Sequence, residues 1–405
     1  MDSGHTSWML VATALVFFMT PGLAFFYGGL VRAKNLVNTI MMSFMSIAIV
    51  SIVWVLWGYS LAFGTGNAYI GDFSHLGLSG VSFTSSEGED IPPLLFVAFQ
   101  MMFAIITPAL ITGAFAERFK FSTYLIFLVL WSTLVYSPIT HWVWAEEGWL
   151  LELGALDFAG GTVIHINAGI AAVVAALLVG KRRNPGLQPN NVPYVVLGAA
   201  ILWLGWFGFN AGSALAANDS AANAFLVTSL AASTAALTWG VISHLKTGKM
   251  GAVGVATGAV AGLVAITPAA GAVDAMGSLA IGFGAGLICF FAVEFIHKTN
   301  MDDALDVFAV HGIGGIWGAI ATGIFALEAI TGGTKGLIEG NIEQVGIQAV
   351  GVVATLIYSG IVSVIILFVL DKIPGLGLRA SESDEDLGLD LATHGEQATV
   401  RDGAD

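Results

Sequence analysis

Two histidines, His165 and His311, stand inside long apolar runs, each close to glycine: Gly160-Gly161-Thr162-Val163-Ile164-His165-Ile166-Asn167 and Val310-His311-Gly312-Ile313-Gly314-Gly315. Each follows an aspartate, Asp157 or Asp303, by eight residues. Ionisable groups within apolar spans are costly and usually face a bundle interior or a pathway. If the two runs are helices entering from opposite faces, eight residues rise about 12 Å and bring both imidazoles to one depth. An imidazole donates and accepts hydrogen bonds and can relay a proton. Two of them meeting in a dry passage therefore suit a small polar solute able to change its protonation state. The plainer alternative is that each ring only bonds a neighbouring helix. Asp157 has two compatible readings, as a helix cap or as a stabiliser of an arriving cation.

Other chemistries lack their residues. No third ligand shares the histidines' depth and no metal-spaced cluster appears. No glycine-rich lysine motif is present for ATP, and no nucleophile–base pair is readable. The expectation is therefore a protein that is not an enzyme, with no cofactor, no metal and no nucleic-acid partner. Two histidines are too few for a hydrated ion channel built on carbonyl or carboxylate rings. One cysteine, Cys289, excludes a disulfide framework and an all-Cys metal centre.

The elements that position these groups must cross a membrane. Of the 405 residues, 56% are hydrophobic and 10% charged, with a mean hydropathy of +0.84. A soluble domain averages about 25% charged residues. The 51 glycines fit a bundle in which small residues let helices approach closely. A bilayer core needs about 20 apolar residues per helix. Eleven runs satisfy or approach this, near 7–30, 37–63, 93–115, 122–143, 158–180, 194–215, 222–245, 251–268, 275–297, 306–327 and 344–370. The first lacks a basic leader and is read as a retained helix rather than a signal peptide.

Basic residues hold loops in the cytoplasm. With the N-terminus outside, the inner connections and tail carry Arg32, Lys34, Arg118, Lys120, Lys181, Arg182, Arg183, Lys246, Lys249, Lys298, Lys372, Arg379 and Arg401. Of the 14 Lys and Arg residues only Lys335 is then left outside. The net charge of −14 gathers in Asp72, Glu87, Glu89, Asp90, Glu146, Glu147 and Glu152 on outer connections and in the tail after Asp371. A solvated surface, a high-salt habitat and a cation-attracting mouth are all compatible with it. Among the other histidines, His141 is expected at the interface beside Trp142 and Trp144, and His244 at the inner periphery. His5, His75, His297 and His394 are expected to have no special role, and Glu294 to reach headgroups or an inner cation.

An inverted repeat of five plus five helices, over 7–180 and 194–327, accounts for the Asp–His spacing. A second echo pairs Phe25-Phe26-Tyr27-Gly28-Gly29 with Phe207-Gly208-Phe209-Asn210-Ala211-Gly212. The fold class expected is an all-α membrane protein, with eleven transmembrane helices over 1–370 and a cytoplasmic acidic tail over 371–405.

Longer motifs carry a resemblance. They are Phe26-Tyr27-Gly28-Gly29-Leu30-Val31-Arg32, Ala116-Glu117-Arg118, Gly154-Ala155-Leu156-Asp157-Phe158-Ala159-Gly160-Gly161, Gly205-Trp206-Phe207-Gly208-Phe209-Asn210-Ala211-Gly212-Ser213 and Asp306-Val307-Phe308-Ala309-Val310-His311-Gly312. In these the chain resembles the ammonium transporter family, including the Rhesus-type proteins, over nearly its whole length. The resemblance implies an eleven-helix protomer in the plasma membrane, N-terminus out, assembled as a homotrimer among membrane lipids with one pore per protomer. It implies an outer ammonium recruitment site at Phe103, Trp144 and Ser213, a gate of Phe103 and Phe209, and pore histidines His165 and His311. Asp157 would support recruitment without touching the ion. One departure is Ala145-Glu146-Glu147-Gly148, where the family usually has a glycine-rich turn.

The tail resembles the family at Gly377-Leu378-Arg379, Gly388-Leu389-Asp390 and His394-Gly395-Glu396. Arg379, Gly388, Asp390, Gly395 and Glu396 would then belong to a regulatory segment docked on the inner face as far as about Glu396. Its implied partner is a PII-type signal protein. The function expected is ammonium transport by deprotonation and passage of ammonia, with net charge movement. The alternatives are an electroneutral ammonia channel and an ammonium sensor with little conduction.

Overall fold

A computed structural model describes residues 2–85, 90–186 and 188–399. Glu87, Glu89, Arg401, Asp402 and Asp405, counted above in the acidic and basic balance, lie outside the described residues. Among the described residues, ten helices are long and apolar enough to cross a membrane. They are α1 Ser3–Leu30, α2 Ala33–Phe63, α3 Pro93–Phe115, α4 Phe121–Glu152, α5 Gly161–Val179, α6 Val192–Gly212, α7 Asp219–Thr247, α9 Ala275–Ile296, α10 Phe308–Phe325 and α11 Glu343–Lys372. Between α7 and α9 lies a shorter apolar helix, α8 Ala252–Ile266. It stops before the expected 268 because Pro268 cannot continue it, and the chain turns through Ala269 and Ala270 while still buried. α4 is interrupted after Trp144 by a turn that carries the exposed Glu146 and Glu147. The only strands among the described residues are Gly66–Asn67 and Ile70–Gly71, a two-residue antiparallel hairpin between α2 and α3.

The first helices of the two expected repeat halves, α1 and α6, cross at glycines. A methyl group at Gly198 would overlap the Phe26 backbone, and one at Gly29 would lie 2.7 Å from Asn191 O and from Val195 N. Close approach of this kind replaces the hydrophobic drive that lipid cannot supply. The proline in α1, Pro21, is tolerated because neighbouring helices re-satisfy the freed backbone. α11 packs against α10 and α5 and leaves Ile357, Ile361, Ile365 and Phe368 exposed on its far side, an apolar surface suited to lipid.

α5 and α10 begin alike. Asp157 lies just ahead of α5, in the capping position expected as one of its two readings, and not within the eight-residue helical rise used to place the histidines. Its carboxylate sits ahead of α5 and accepts from the backbone N–H groups of Gly160, Gly161, Thr162 and Val163, at 2.7–3.3 Å. Asp303 does the same for Val307 (3.1 Å) and Phe308 (2.7 Å) ahead of α10. Three residues after each aspartate the chain turns left-handed, at Gly160 (φ 110°) and Asp306 (φ 59°). Each histidine then lies in a π-helical first turn, Gly161–Ile166 or Phe308–Ile313. The equal spacing thus reflects two equivalent capped entries rather than eight residues of helical rise.

Candidate functional site

On the face that carries the N-terminus, α3, α4 and the segment after α6 enclose a cavity of about 140 Å3 lined by Phe103, Trp144, Ser213, Gln100 and Phe158. Phe103 stands edge-on to Trp144, with centroids 5.8 Å apart and planes at 87°. Trp144 is fixed by its Nε1, which donates to Asp157 O at 2.9 Å. The Ser213 hydroxyl donates to Phe209 O at 2.8 Å, so its oxygen offers lone pairs. Gln100, one turn before Phe103, is buried, and its Oε1 has no hydrogen-bond partner. Glu146 and Glu147 are absent from this lining.

Below the cavity Phe103 and Phe209 close on each other, with centroids 4.4 Å apart and planes at 38°. Next comes His165, stacked on Trp206 (5.5 Å, 19°) and facing His311 (5.3 Å, 21°). The two rings meet through Nδ1 at 3.2 Å. Such a contact needs one hydrogen between two nitrogens. In the neutral pair one ring then carries Nε2–H and the other a bare Nε2. His165 Nε2 is buried and has no protein partner. The space along these rings, walled by Leu23, Phe26, Ile106, Leu110 and Leu202, is about 10 Å3, the least that holds one water.

Glycines seat the pair. A methyl at Gly169, four residues after His165, would overlap Gly312 Cα, and one at Gly315, four after His311, would lie 3.1 Å from His165 Cβ. Each histidine is thus positioned by the other helix's glycine.

His311 also lines a cavity of about 360 Å3 opening on the opposite face, with Tyr27, Arg182, His297 and Asp306. His297, expected to be idle, bonds Asp306 Oδ1 through Nε2 at 2.7 Å, and this bond raises its pKa above the ordinary imidazole value. Arg182 holds Asp302 through Nε and Nη2, at 2.7–3.2 Å. Glu117, with φ 72°, accepts from the N–H and Nε of Arg32 at 2.7 and 2.8 Å. Arg118 is fully buried and donates to the carbonyls of Gly180, Ala116 and Asp302, and burial lowers its guanidinium pKa to about 10.

Residues 373–396 lie across this same face. Leu378 O accepts from Lys120 N, and Arg379 grips Glu385 (2.5 and 2.9 Å). Lys34 Nζ donates to Glu385 O and Asp386 O, and Arg183 pairs with Glu382 and Asp386. Gly388 has φ 109° and backs onto Lys34. Asp390 Oδ1 accepts from Asn38 N at 2.8 Å, while Gly395 (φ 68°) ends the last turn and Glu396 is exposed. His394, also expected to be idle, packs on Phe121 and bonds Asn38.

His141 differs from its expected interfacial position. It is fully buried, with Nδ1 at 3.0 Å from Ala62 O and Nε2 at 2.7 Å from Asn67 O, tying α4 to the end of α2. Glu294 pairs with Lys246, and His244 is exposed at the end of α7. No group of three metal-ligating side chains occurs among the described residues. Trp206 and Gln100 were missed as site residues. Trp206 belongs to the Gly205–Ser213 motif, and Gln100 stands as a lone amide one turn from Phe103 in an apolar run.

The Ammonium Transporter Family profile matches residues 7–399. The ammonium transporter of Aquifex aeolicus is 53% identical over 402 residues, covering 98% of this chain and 94% of that protein. The crystal structure of Saccharomyces cerevisiae Mep2 superposes with a TM-score of 0.91 at 39% identity, covering 100% of this chain and 93% of that one. A solved structure described as a "Sensor Amt Protein" superposes with a TM-score of 0.89 at 30% identity, covering 96% and 98%. The chain, a multi-pass membrane protein by its ten apolar helices, belongs to the ammonium transporter family.

Proposed function

We propose that this ammonium transporter binds its substrate as the cation and passes it as ammonia. The observation that carries this is the His165–His311 contact through Nδ1 in a passage with room for about one water. Ammonium enters from outside, on the face of the N-terminus. There Trp144 and Phe103 offer cation–π attraction of about 0.5–2 kcal/mol, and Ser213 Oγ accepts an N–H bond. A bare cation cannot follow the apolar file cheaply. Potassium has no proton to release, whereas ammonium does: NH4+ gives NH3 and H+. Ammonia then slips past the Phe103–Phe209 gate and bonds the histidines' Nε2 atoms. Asp157 acts at a distance, by holding the loop that holds Trp144.

The proton takes one of two routes. It returns outside, making passage neutral, or it moves through the pair. In the second route His165 Nε2 takes the proton, and the hydrogen shared at Nδ1 shifts to His311. His311 Nε2 then releases a proton into the cavity on the tail face. This leaves both tautomers reversed, to be reset before the next cycle. The paired imidazoles favour the charge-moving route, because they span the narrow segment.

The protomer assembles as a homotrimer in the plasma membrane, and its docked tail is the contact for a PII-type protein, with Arg379, Gly388, Asp390, Gly395 and Glu396 shaping it. A sensor with little conduction is the second reading, favoured by the likeness to the Sensor Amt Protein at 30% identity. Solid-supported-membrane recording on proteoliposomes after an ammonium jump separates these. We expect a sustained current that His165→Ala with His311→Ala abolishes or renders permeable to potassium. Uptake without current selects the neutral channel, and neither current nor uptake selects the sensor. A double variant with unchanged current and selectivity removes the histidines' role.

A further inference from the structure

We infer that His141 is a positioning residue for ammonium entry: as an imidazolium it ties α4 to the end of α2 and to the hairpin that follows, and so fixes Trp144. The inference rests on the proposed recruitment site and deepens it, by naming what sets the Trp144 ring in place and adding a dependence on pH. His141 is fully buried, with Nδ1 at 3.0 Å from Ala62 O and Nε2 at 2.7 Å from Asn67 O. A carbonyl oxygen only accepts, so each contact needs an N–H on the ring. Neutral imidazole has one N–H and imidazolium has two. A neutral ring would set a bare nitrogen against one of the two oxygens, and buried groups left unpaired are costly. In the charged ring both bonds are charge-assisted, which offsets the loss of water. No carboxylate pairs with it: among the described residues the one ion pair of a histidine is His297 with Asp306. Around it, Asp72 is held by Thr65 and Ser74, and Asp157 by four backbone N–H groups. Tyr59 on α2 carries no charge, and Glu146 and Glu147 are exposed beyond Trp144.

Trp144 sits inside the block that this tie creates. Three successive hairpin carbonyls accept from α4: Asn67 O from His141, Ala68 O from Trp149 N at 3.1 Å, and Tyr69 O from Trp142 Nε1 at 2.7 Å. These donors lie on both sides of Trp144 in the chain. Between them the turn folds back on His141, whose own carbonyl accepts from Ala145 N at 3.2 Å and would be overlapped by a methyl on Gly148. The Trp144 ring is anchored on its far side by Asp157 O. Both His141 bonds exist while the ring is doubly protonated. As pH rises and the ring gives up one proton, one bond is lost and the block that carries Trp144 loosens.

The test uses His141→Gln, which imitates the neutral ring with one donor group and one acceptor oxygen. Ammonium uptake by proteoliposomes is titrated at about pH 6 and about pH 8, on either side of the ordinary imidazole value. Half-saturation is taken as the ratio of variant to parent, so that other titrating groups cancel. Loss of one charge-assisted bond predicts a ratio of about three to ten at the lower pH and no difference at the higher. Nitrogen-15 NMR of histidine-labelled protein in bilayers counts the ring protons directly. The signal that His141→Gln removes at the lower pH should come from a ring protonated on both nitrogens. A missing signal that belongs to a neutral ring overturns the inference, as does unchanged half-saturation at the lower pH. An equal rise at both pH values marks a packing role and overturns it too. Trp144→Leu is measured alongside: unchanged half-saturation there removes the recruitment reading itself, which failure of His141→Gln alone leaves standing.

Discussion

His297 and Asp306 form an ion pair at the mouth of the tail-face cavity when the imidazole is protonated, and the 2.7 Å bond raises the His297 pKa above its ordinary value near 6.5. A raised folded value means the fold gains from the charged form. That gain is complete below the unfolded pKa and disappears as pH rises through the higher folded one. The pair is partly exposed, so its worth is at most about 1 kcal/mol. His297→Gln should therefore lower the unfolding midpoint at acid pH and match the parent at alkaline pH. Denaturant melts across the range check this, and a difference that grows toward alkaline pH would reverse the assignment. Asp157 gives a sharper case. Asn would keep one acceptor oxygen for Gly160 and Gly161 but set an NH2 group against the N–H groups of Thr162 and Val163, now held by Oδ2. With donors facing donors, Asp157→Asn should lose about 1–3 kcal/mol for each stranded group, visible as a lower melting temperature and as weaker ammonium uptake once Trp144 loosens.

Helices α5 and α10 separate what residue spacing encodes from what local backbone geometry adds. Spacing within each aspartate–histidine pair was legible, and so was the meeting of the two rings. The local geometry was not. A carboxylate capping from outside the helix and one inside the first turn look alike in an apolar run, and π-helical turns leave no periodic mark over six residues. The short α8 was partly hidden for a similar reason: hydropathy continues past Ile266 while Pro268 ends the hydrogen-bond ladder. The tryptophans flanking His141 mark an interface in the sequence, whereas its partners are backbone carbonyls at the end of α2 and in the hairpin that follows it. Gly169 was not singled out, yet it permits the contact of the two helices. In Gly169→Ala the new methyl would meet Gly312 Cα, which is backbone and cannot rotate away. We expect a cost of about 1–3 kcal/mol and a widened His165–His311 separation. Thermal unfolding measures the first, and loss of ammonium current in protein that still assembles measures the second. Unchanged values would show that α5 and α10 shift apart without consequence.

At the scale of the whole molecule the acidic tail is a structural component as well as a source of charge. Much of its charge is partnered: Glu385 by Arg379 within the tail, and Glu382 and Asp386 by Arg183 on the connection between α5 and α6, while Lys34 near the start of α2 donates to two tail carbonyls. Charge counting placed the basic residues on one face, and this face is where the tail returns. The tail also completes a helix. The α-helical part of α2 begins at Leu36, after a tighter turn over Ala33–Asn35, so Asn38 N is one of its first-turn donors that no intrahelical carbonyl can satisfy, and Asp390 Oδ1 accepts from it at 2.8 Å. In exchange, Asn35 Oδ1 accepts from Leu389 N at 2.9 Å. This reciprocal cap joins segments more than 350 residues apart, and a carboxylate at a helix N-terminus adds a favourable dipole interaction. Asp390→Ala should remove about 1–2 kcal/mol, localised at the junction of tail and α2, because the spans themselves have their own packing. Limited proteolysis should then cut residues 373–390 faster than in the parent, while the global melting temperature moves little. Arg379→Ala should have the same effect by freeing Glu385, and the pair of substitutions should be less than additive if both release one docked unit. A tail that resists the protease equally in all three proteins would mean that the lysine and arginine contacts hold it without the cap.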